Sequence, residues 1–253
     1  RNQKHINALQ GMHGNDIINQ TEQYPTEERN RLMHSKYEHV FNPIKIRGID
    51  FKNRVTLAPP SPNVASHHGE MTRDFVDWMR PFARGGTSIL YVGNATVDKN
   101  ECHDEETQID LGTDRCVLPL SWYAEMAAQY NCHASFEVNH NGKDTAFETV
   151  GHAPYSASAI ITSSEISRAK KLGRAPIPSI EMTHEKIAET VDKFAMACSR
   201  MQQAGMDIAL IHGGHGNLIS QFMSPLYNKR QDEYGGTTEK RARFAIEVCD
   251  AIR

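Results

Sequence analysis

Residues 208–225 read IALIHGGHGNLISQFMSP, and this stretch discriminates between the two main arrangements of alternating strands and helices. Its first part, residues 208–212, is an apolar run typical of a buried strand. A dinucleotide-binding fold would require Gly-x-Gly-x-x-Gly directly after such a strand, at the start of a helix. Here the glycines at 213, 214 and 216 lead instead into a long polar loop that continues to Tyr234. The pattern therefore favours a closed barrel with large loops after its strands.

Further strand-and-helix units surround this stretch. Apolar strands are predicted at residues 55–58, 88–92, 134–138 and 208–212. Amphipathic helices are predicted at residues 73–84, 120–130, 184–204 and 239–252. Because strands and helices alternate, the strands are expected to run parallel and to be joined by right-handed crossovers. We therefore predict an α/β fold, a barrel of which four strand-and-helix units can be assigned in this sequence.

The helix at 184–204 has the clearest local signals. Thr183 can cap its start and Gly205 can end it. Its apolar side chains recur at three- and four-residue steps on one face, at Ile187, Val191, Phe194, Cys198 and Met201. The helix at 73–84 contains Pro81, and a proline inside a helix removes a hydrogen bond and bends the helix.

A β-hairpin and a polar extension are predicted before the barrel. Residues 43–46 and 49–51 alternate apolar and polar side chains on either side of Arg47-Gly48, a turn signal. The preceding residues are polar and keep no sustained apolar period, which indicates an extension with one or two short helices. The predicted domains are an N-terminal extension at residues 1–36 and an incomplete barrel domain, its first half, at residues 37–253.

Composition and charge favour a small-molecule partner. The chain has 253 residues with 28 basic and 31 acidic side chains, so it offers no basic stripe for nucleic acid or for an anionic membrane surface. No apolar run reaches the roughly 20 residues that a membrane helix needs. The 5 cysteines are scattered without a Cys-x-x-Cys pair, which predicts neither disulfides nor a zinc or iron–sulfur site and fits a reducing, cytoplasmic setting.

Polar segments follow all the predicted strands. They are Pro59-Pro60-Ser61, Gly93-Asn94, Glu137-Val138-Asn139-His140 and His212-Gly213-Gly214-His215. A single His or Asn at a strand end is more often a satisfied structural group than a functional one. In a barrel, however, the carboxyl ends of the strands meet at one mouth, where active sites lie. Polar segments at the same end of successive strands therefore favour a functional site.

His212 and His215 form the sharpest single feature. Two imidazoles separated by two glycines can both point inward and donate hydrogen bonds to one oxygen, which stabilises negative charge on an oxyanion or enolate. Imidazole pairs also ligate metals, and His140 or Glu137 can supply further ligands. The spacing leaves both chemistries open, so a metal-dependent barrel hydrolase stands beside oxyanion stabilisation.

Longer motifs are more specific. They are FNPIKI at residues 41–46, KNRVTLAP at 52–59, IHGGHGNLISQFMSP at 211–225 and NKRQDEYGGTTE at 228–239. Together they resemble the old yellow enzyme and NADH:flavin oxidoreductase family, whose relatives include 2,4-dienoyl-CoA reductase and trimethylamine dehydrogenase. The resemblance extends over about residues 38–253. It implies an FMN-binding TIM barrel in which NADH or NADPH reduces the flavin, and flavin N5 passes hydride to an activated carbon–carbon double bond of an enone or enoyl substrate.

The resemblance also implies roles for individual residues. His212 and His215 match the pair that holds the substrate carbonyl oxygen over the flavin, and Asn217 occupies the next catalytic position. The residues implied to contact FMN are Ala58, Pro59, Pro60, Ser61, Asn94, Glu137 and His212. Longer relatives append a 4Fe-4S cluster and an FAD-binding part, which a longer parent chain can share.

Departures from the family pattern raise alternatives. Glu137 stands where the family usually has Gln, and a carboxylate there disfavours an anionic reduced flavin unless it is protonated or paired. This residue resembles the amine-oxidising branch, which makes a flavin-dependent amine dehydrogenase the nearest alternative. Asn217 replaces the Tyr that protonates the substrate, and an amide is no acid at neutral pH.

The number of units is a further departure, because the family's barrel has eight and four are predicted here. We therefore expect a fragment of a longer protein, or a half barrel that a homo-oligomer, a second chain or a further segment completes. A non-catalytic subunit that only binds a partner is another alternative. Other conspicuous residues have structural interpretations: packing for Trp78 and Trp122, a solvated loop for His67-His68, and an exposed helix face for residues 240–243.

Overall fold

The computed structural model describes residues 36–103 and 105–253, and the chain divides into two units after Thr56. Residues 1–35 of the predicted N-terminal extension, where one or two short helices were predicted, lie outside the described residues. The extension and its boundary at residue 36 therefore stay predictions.

The described part of the first unit holds a helical turn and a hairpin. The helix α1 is Glu38–Phe41, and the antiparallel hairpin consists of β1, Ile44–Ile46, and β2, Ile49–Phe51. Arg47 and Gly48, between these strands, have φ values of +47° and +91°. Positive φ at both positions matches the right-handed twist of the paired strands, so the predicted hairpin is confirmed.

The remaining strands build a parallel sheet and a small side ribbon. Their bounds are β3 Thr56–Leu57, β4 Ile89–Thr96, β5 His133–Asn139, β6 Tyr155–Ser156, β7 Ile180–Glu181 and β8 Leu210–Ile211. The main sheet has the order β3-β4-β5-β8, with β4 parallel to β5 and β5 parallel to β8. The ribbon pairs β6 with β7, also in parallel. The sheet order follows the chain, as expected for the first strands of a (β/α)8 barrel.

Helices follow the strands of the main sheet. Their bounds are α2 Arg73–Arg84, α3 Lys99–Cys102, α4 Val117–Ala128, α5 Phe147–Val150, α6 Ser163–Leu172, α7 His184–Gln203, α8 Leu218–Met223 and α9 Thr238–Ile252. Short 3₁₀ helices lie at Asp114–Cys116 and Gly142–Asp144. Among the helices described in residues 36–103 and 105–253, none has both the length and the apolar character to cross a membrane.

Helices with strong local signals begin and end as predicted. The Thr183 side chain accepts a hydrogen bond from the Lys186 backbone N–H at 3.2 Å and caps α7. Thr72 caps α2 in the same way, and Pro81 lies inside α2 without ending it. Side-chain caps satisfy backbone groups within one turn, so they act before any long-range contact is made.

Two predictions about secondary structure were wrong in detail. The helix predicted at 120–130 is α4, Val117–Ala128, and its chain then turns through Asn131, whose φ is +53°. The polar loop predicted after residue 213 contains α8. Leu218, Ile219 and Phe222 on this helix are buried in the core, so burial of three apolar side chains outweighs the polar composition of the segment.

The core lies between the sheet and its helices. Phe136 and Val138 of β5 are fully buried, as are Phe194 of α7 and Phe244 of α9. The Phe194 and Phe244 rings meet edge to face, with centroids 6.5 Å apart. Because the helices pack on one side of the strands, the polar segments at the carboxyl ends of β4, β5 and β8 are left to form a common rim.

Candidate functional site

A cleft of about 400 Å³ lies at the carboxyl ends of the strands. It is lined by Ser61, Asn63, Asn94, Glu105, Asn141, Asp144, His212, His215 and Asn217. The structure thus brings together Ser61, Asn94, His212, His215 and Asn217, five of the residues singled out in the sequence. Ala58, Pro59, Pro60 and Glu137 are not among the lining residues, although Glu137 bonds directly to one of them.

Glu137, His212 and His215 form a chain of hydrogen bonds. Glu137 Oε1 lies 2.7 Å from His212 Nδ1, and His212 Nε2 lies 3.1 Å from His215 Nδ1. His212 is buried at the end of β8, whereas His215 is exposed at the cleft. The two imidazole rings are tilted by 48° with centroids 5.0 Å apart. The chain therefore runs from a carboxylate on β5 to an imidazole at the cleft surface.

This arrangement differs from the expectation that both rings donate to one ligand oxygen. Both nitrogens of His212 are engaged, one by Glu137 and the other by His215. Of the ring nitrogens of His212 and His215, the one without a protein partner among the described residues is His215 Nε2. His212 and His215 are three residues apart, so the contact between their rings is local in the sequence.

The backbone at His215 is held in the left-handed region. Its φ is +53°, and that of the following Gly216 is +79°. A non-glycine residue with positive φ is uncommon, and such strain is concentrated at ligand-binding and catalytic sites. The conformation turns the His215 ring toward His212.

The loop after β3 is fixed against β4 by a close approach at Gly93. The Gly93 N–H donates to Pro60 O at 2.9 Å. A Cβ at Gly93 would lie 2.7 Å from the Pro59 Cβ and 3.0 Å from Glu137 Oε2, so no other residue fits there without displacement. The register between β4 and β5 shifts between Val92 and Ala95, which makes Gly93-Asn94 a bulge beside the cleft.

Gln108 orients Asn94, and sequence reasoning missed it. Its Nε2 donates to the Asn94 backbone O at 3.2 Å and also to Asn94 Oδ1. Because the amide oxygen of Asn94 is engaged, the NH2 group of Asn94 is the one that remains for a ligand. Gln108 lies in an irregular segment far from any predicted strand end, so no local pattern identifies it.

Gln221 joins the loops after β5 and β8 and was also missed. Its Nε2 donates to Asn141 O at 3.0 Å and to Gly216 O at 2.6 Å. Its Oε1 accepts from the Lys143 N–H and from Ser156 Oγ, each at 3.0 Å. The side chain is fully buried, and its bonds to Asn141, Lys143 and Ser156 join segments that are distant in the sequence. Its presence in the family-like motif at residues 211–225 was the available signal.

His140 faces away from the cleft and into a buried ionic cluster. Its Nδ1 accepts from the Gly142 N–H at 3.0 Å, and its Nε2 lies 3.3 Å from Glu101 Oε1. Glu101 Oε2 also accepts from Lys186 and Lys193, at 2.6 and 2.5 Å. Burial by itself raises the pKa of the Glu101 carboxyl, but His140 and the two lysines outweigh burial and hold it well below its usual range.

The engagement of His140 argues against the predicted alternative of a metal site. His212, His215 and His140 do not converge, because His140 bonds to Glu101 and Gly142 instead. Among the described residues, the His, Asp and Glu atoms close enough to share a metal are those of His184, Asp232 and Glu233. Arg230 already forks onto Asp232, with Nε 3.1 Å from Oδ1, and lowers the pKa of that carboxyl to about 2. The trio is therefore an ion-pair group.

The other conspicuous side chains have structural roles, as predicted. His67 is exposed and contacts Glu106, with 3.2 Å between Nδ1 and Oε1. Trp78 packs edge to face on Phe82 at 5.4 Å between centroids, and the Arg73 guanidinium stacks 3.7 Å from the Trp122 ring. All five cysteines are free thiols.

Comparison with known proteins agrees with this architecture. The model of the NADH:flavin oxidoreductase / NADH oxidase family matches residues 39–253. An NADH oxidase of Thermoanaerobacter brockii is 30% identical over 218 residues, which are 86% of this chain and 32% of that protein. An NADPH dehydrogenase of a Geobacillus species is 31% identical over 214 residues, which are 85% of this chain and 59% of that protein.

A solved structure shows the same fold. Old Yellow Enzyme from a Pichia species superposes with a TM-score of 0.77 at 26% identity, over 85% of this chain and 56% of that one. The chain thus spans between a third and three fifths of the length of these relatives.

Proposed function

The chain belongs to the NADH:flavin oxidoreductase / NADH oxidase family, and from that premise we propose that it acts as an FMN-dependent oxidoreductase. In this proposal, hydride passes from NADH or NADPH through flavin N5 to the activated carbon–carbon double bond of an enone or enoyl substrate. The observation that carries the proposal is the hydrogen-bonded chain Glu137–His212–His215, which ends at the cleft.

The positions of the protons along this hydrogen-bonded chain suit it to bind an oxygen atom that gains negative charge. When His212 Nδ1–H donates to Glu137 and His215 Nδ1–H donates to His212, His215 Nε2 is an acceptor. One added proton on the histidine pair reverses the middle bond and makes His215 Nε2–H a donor into the cleft. Glu137 stabilises the added positive charge, because a hydrogen bond to a carboxylate is stronger when its donor is charged.

We assign the donor at the carbonyl oxygen to His215, whereas the proton that the α carbon takes up comes from water, because Asn217 has no acidic proton. An amide has no proton to give at neutral pH, but the Asn217 side chain can still orient a carbonyl oxygen. His215 then donates to that oxygen as charge develops, and each well-placed donor of this kind lowers a barrier by about 3 kcal/mol. The strained backbone at His215 fixes the donor before the substrate arrives.

The residues present fit FMN. A flavin pyrimidine edge offers both carbonyl oxygens and an N–H. The Asn94 NH2 group at the cleft is the proposed donor, and Glu137, which bonds to the cleft residue His212, is the proposed acceptor. Ala58, Pro59, Pro60, Ser61 and His212 complete the set proposed to hold the ring. When bound, FMN supplies two-electron transfer between nicotinamide and substrate. The pairing of Glu137 with His212 at 2.7 Å offsets the charge that would disfavour reduced flavin.

Amine oxidation is the second candidate, and the charge of the cleft favours it. Glu105 and Asp144 line the cleft, while none of the described lining residues is Lys or Arg. Such a cleft attracts a cationic amine and repels an anionic CoA ester. Lys143 pairs with Asp144, so Glu105 carries the preference.

An absorption spectrum of the purified full-length protein tests the class. We expect a yellow protein that bleaches with NADH or NADPH under anaerobic conditions and recovers its colour on addition of cyclohex-2-enone. Recovery only with an oxygen or dye acceptor, together with bleaching by a tertiary amine, would favour amine oxidation. A colourless protein that takes up no added FMN would refute both candidates.

The same proposal extends to the partners, the further cofactors and the location of the whole protein. We propose a homo-oligomer or a second chain as its partner, and a 4Fe-4S cluster and an FAD-binding part as groups that a longer parent chain can carry. A reducing, cytoplasmic location is part of the same proposal. Mass determination of the native protein measures the oligomeric state.

A further inference from the structure

Asn139 and Asn141 form a buried amide pair with unsatisfied ends. Asn139 Nδ2 donates to Asn141 Oδ1 at 2.8 Å, and each residue is only 1% exposed. Within the described residues, Asn139 Oδ1 and Asn141 Nδ2 have no hydrogen-bond partner. A buried polar group without a partner destabilises a protein, and each case calls for an explanation.

The backbone offers no structural explanation for Asn141. Its φ and ψ are −64° and −26°, so the left-handed conformation that favours Asn is absent. It precedes the 3₁₀ helix Gly142–Asp144 without capping it by its side chain. Its backbone is held independently, because its N–H donates to Cys102 O and its O accepts from Gln221. The backbone hydrogen bonds of Asn141 therefore do not depend on its amide side chain, whose one bond is to Asn139.

The position of Asn141 supplies a functional explanation. Asn141 lines the cleft together with His215 and Asn217. Its Oδ1 is engaged by Asn139, which leaves the NH2 group to donate. We infer that Asn141 binds an oxygen atom of the substrate, distinct from the oxygen bound by His215. This inference rests on the proposed function and narrows its substrate class.

The charges around the cleft limit what that second oxygen can be. Glu105 lines the same cleft and disfavours a second carboxylate, whereas Asp144 is paired with Lys143. A neutral acceptor such as a carbonyl has no such penalty. The substrate class is thus an unsaturated carbonyl compound that carries a second neutral oxygen acceptor across the ring or chain.

Binding of unreactive ketones to the full chain with added FMN tests the inference. Calorimetry compares cyclohexane-1,4-dione with cyclohexanone in the unmodified protein, in Asn141→Ala and in Asn100→Ala, an exposed control. We expect Asn141→Ala to weaken binding of the dione about tenfold, the equivalent of one hydrogen bond, and that of cyclohexanone less than about twofold. Equal effects on both ketones, no effect, or no preference for the dione in the unmodified protein overturn the inference.

A stability measurement separates binding from structure. The double variant Asn139→Leu with Asn141→Leu removes both unsatisfied ends, so its melting temperature should equal or exceed that of the unmodified protein. A fall of more than about 4 °C would show that the pair is structural and refute the inference. Failure to take up FMN refutes the proposed function and this inference together, whereas a yellow protein in which Asn141→Ala changes nothing refutes only the role of Asn141.

Discussion

Two Glu–His pairs each have one member at the carboxyl end of β5. One pair lies at the cleft and the other lies in the interior. Glu137 and His212 are 2.7 Å apart, and Glu101 and His140 are 3.3 Å apart. The interior pair is enclosed, because Glu101 also binds two lysines and His140 also binds a backbone N–H. In the cleft pair, His212 also bonds to His215, whose side chain is exposed and whose Nε2 has no partner in the described part of the protein. The same side-chain chemistry is therefore enclosed in one place and reaches the cleft in the other.

A third Glu–His pair, on the protein surface, is the reference for the cleft pair and the interior pair. His67 and Glu106 are 3.2 Å apart but 80% and 77% exposed. An ion pair in water is worth at most about 1 kcal/mol. Substitutions at this pair are matched controls, because they remove the same side chains without disturbing either network.

The largest expected effect is that of His215→Ala. We expect kcat/KM for reduction of cyclohex-2-enone to fall about 10²- to 10³-fold, because the donor at the reacting oxygen is lost. The melting temperature should change by less than about 2 °C, since His215 is exposed. Steady-state kinetics with His67→Ala as the control measures the difference, and a loss below threefold would show that His215 does not contact the reacting oxygen.

For Glu101→Gln we expect the opposite result, a large loss of stability with little loss of activity. Removing one charge from a buried ionic cluster is expected to lower the free energy of unfolding by about 3 kcal/mol, because His140, Lys186 and Lys193 lose their common partner. Urea denaturation measures the change, with Glu106→Gln expected within about 0.5 kcal/mol of the unmodified protein. Enone reduction by the folded fraction should be nearly unchanged. A stable but inactive variant would contradict the separation of the two networks.

Glu137→Gln sharpens the comparison from the cleft side. The amide oxygen can still accept from His212, so the geometry is kept, but the charge that favours an added proton on the histidine pair is lost. We expect a decrease in kcat of about tenfold, equivalent to 1.4 kcal/mol, with flavin still bound. Stopped-flow reoxidation of the reduced protein by enone measures it, and an unchanged rate would indicate that the charge of Glu137 plays no part in proton delivery.

The smallest expected effect is the acid dependence of stability. The pKa of Glu101 is lower in the folded protein than in the unfolded chain, so its contribution is fully present above the unfolded value near pH 4.5. It is lost as the pH falls through the folded pKa, by at most about 1.4 kcal/mol per pH unit. Urea titrations at pH 6, 5, 4 and 3 should show a shallower decline for Glu101→Gln than for the unmodified protein. Parallel curves would contradict the assignment.

Sequence reasoning succeeded where the deciding contacts are local. Helix α7 begins at its predicted Thr183 cap, and the turn at Arg47-Gly48 has the backbone that its residues favour. His212 and His215 are only three residues apart, so their proximity could be predicted from the sequence. It failed at α8, where packing of Phe222 into the core determines the conformation.

The partners of the site residues could not be predicted because they are distant in the chain. His140 was expected near the cleft, but it bonds to Glu101, 39 residues away. Gln108 orients Asn94 across 14 residues, and Gln221 holds Lys143 across 78. Such contacts depend on which loops meet above the sheet, and no periodicity in the sequence records this.

The sequence alone determined the alternation of strands and helices, the caps, and the motif that carries the family resemblance, because hydrophobic period and capping act over a few residues. Only the tertiary structure decided which of several similar His, Glu and Asn side chains reach the cleft and which are enclosed. The physical reason is that burial and hydrogen-bond partners are properties of the packed loops, and these set whether a polar group is satisfied by the protein or left for a ligand.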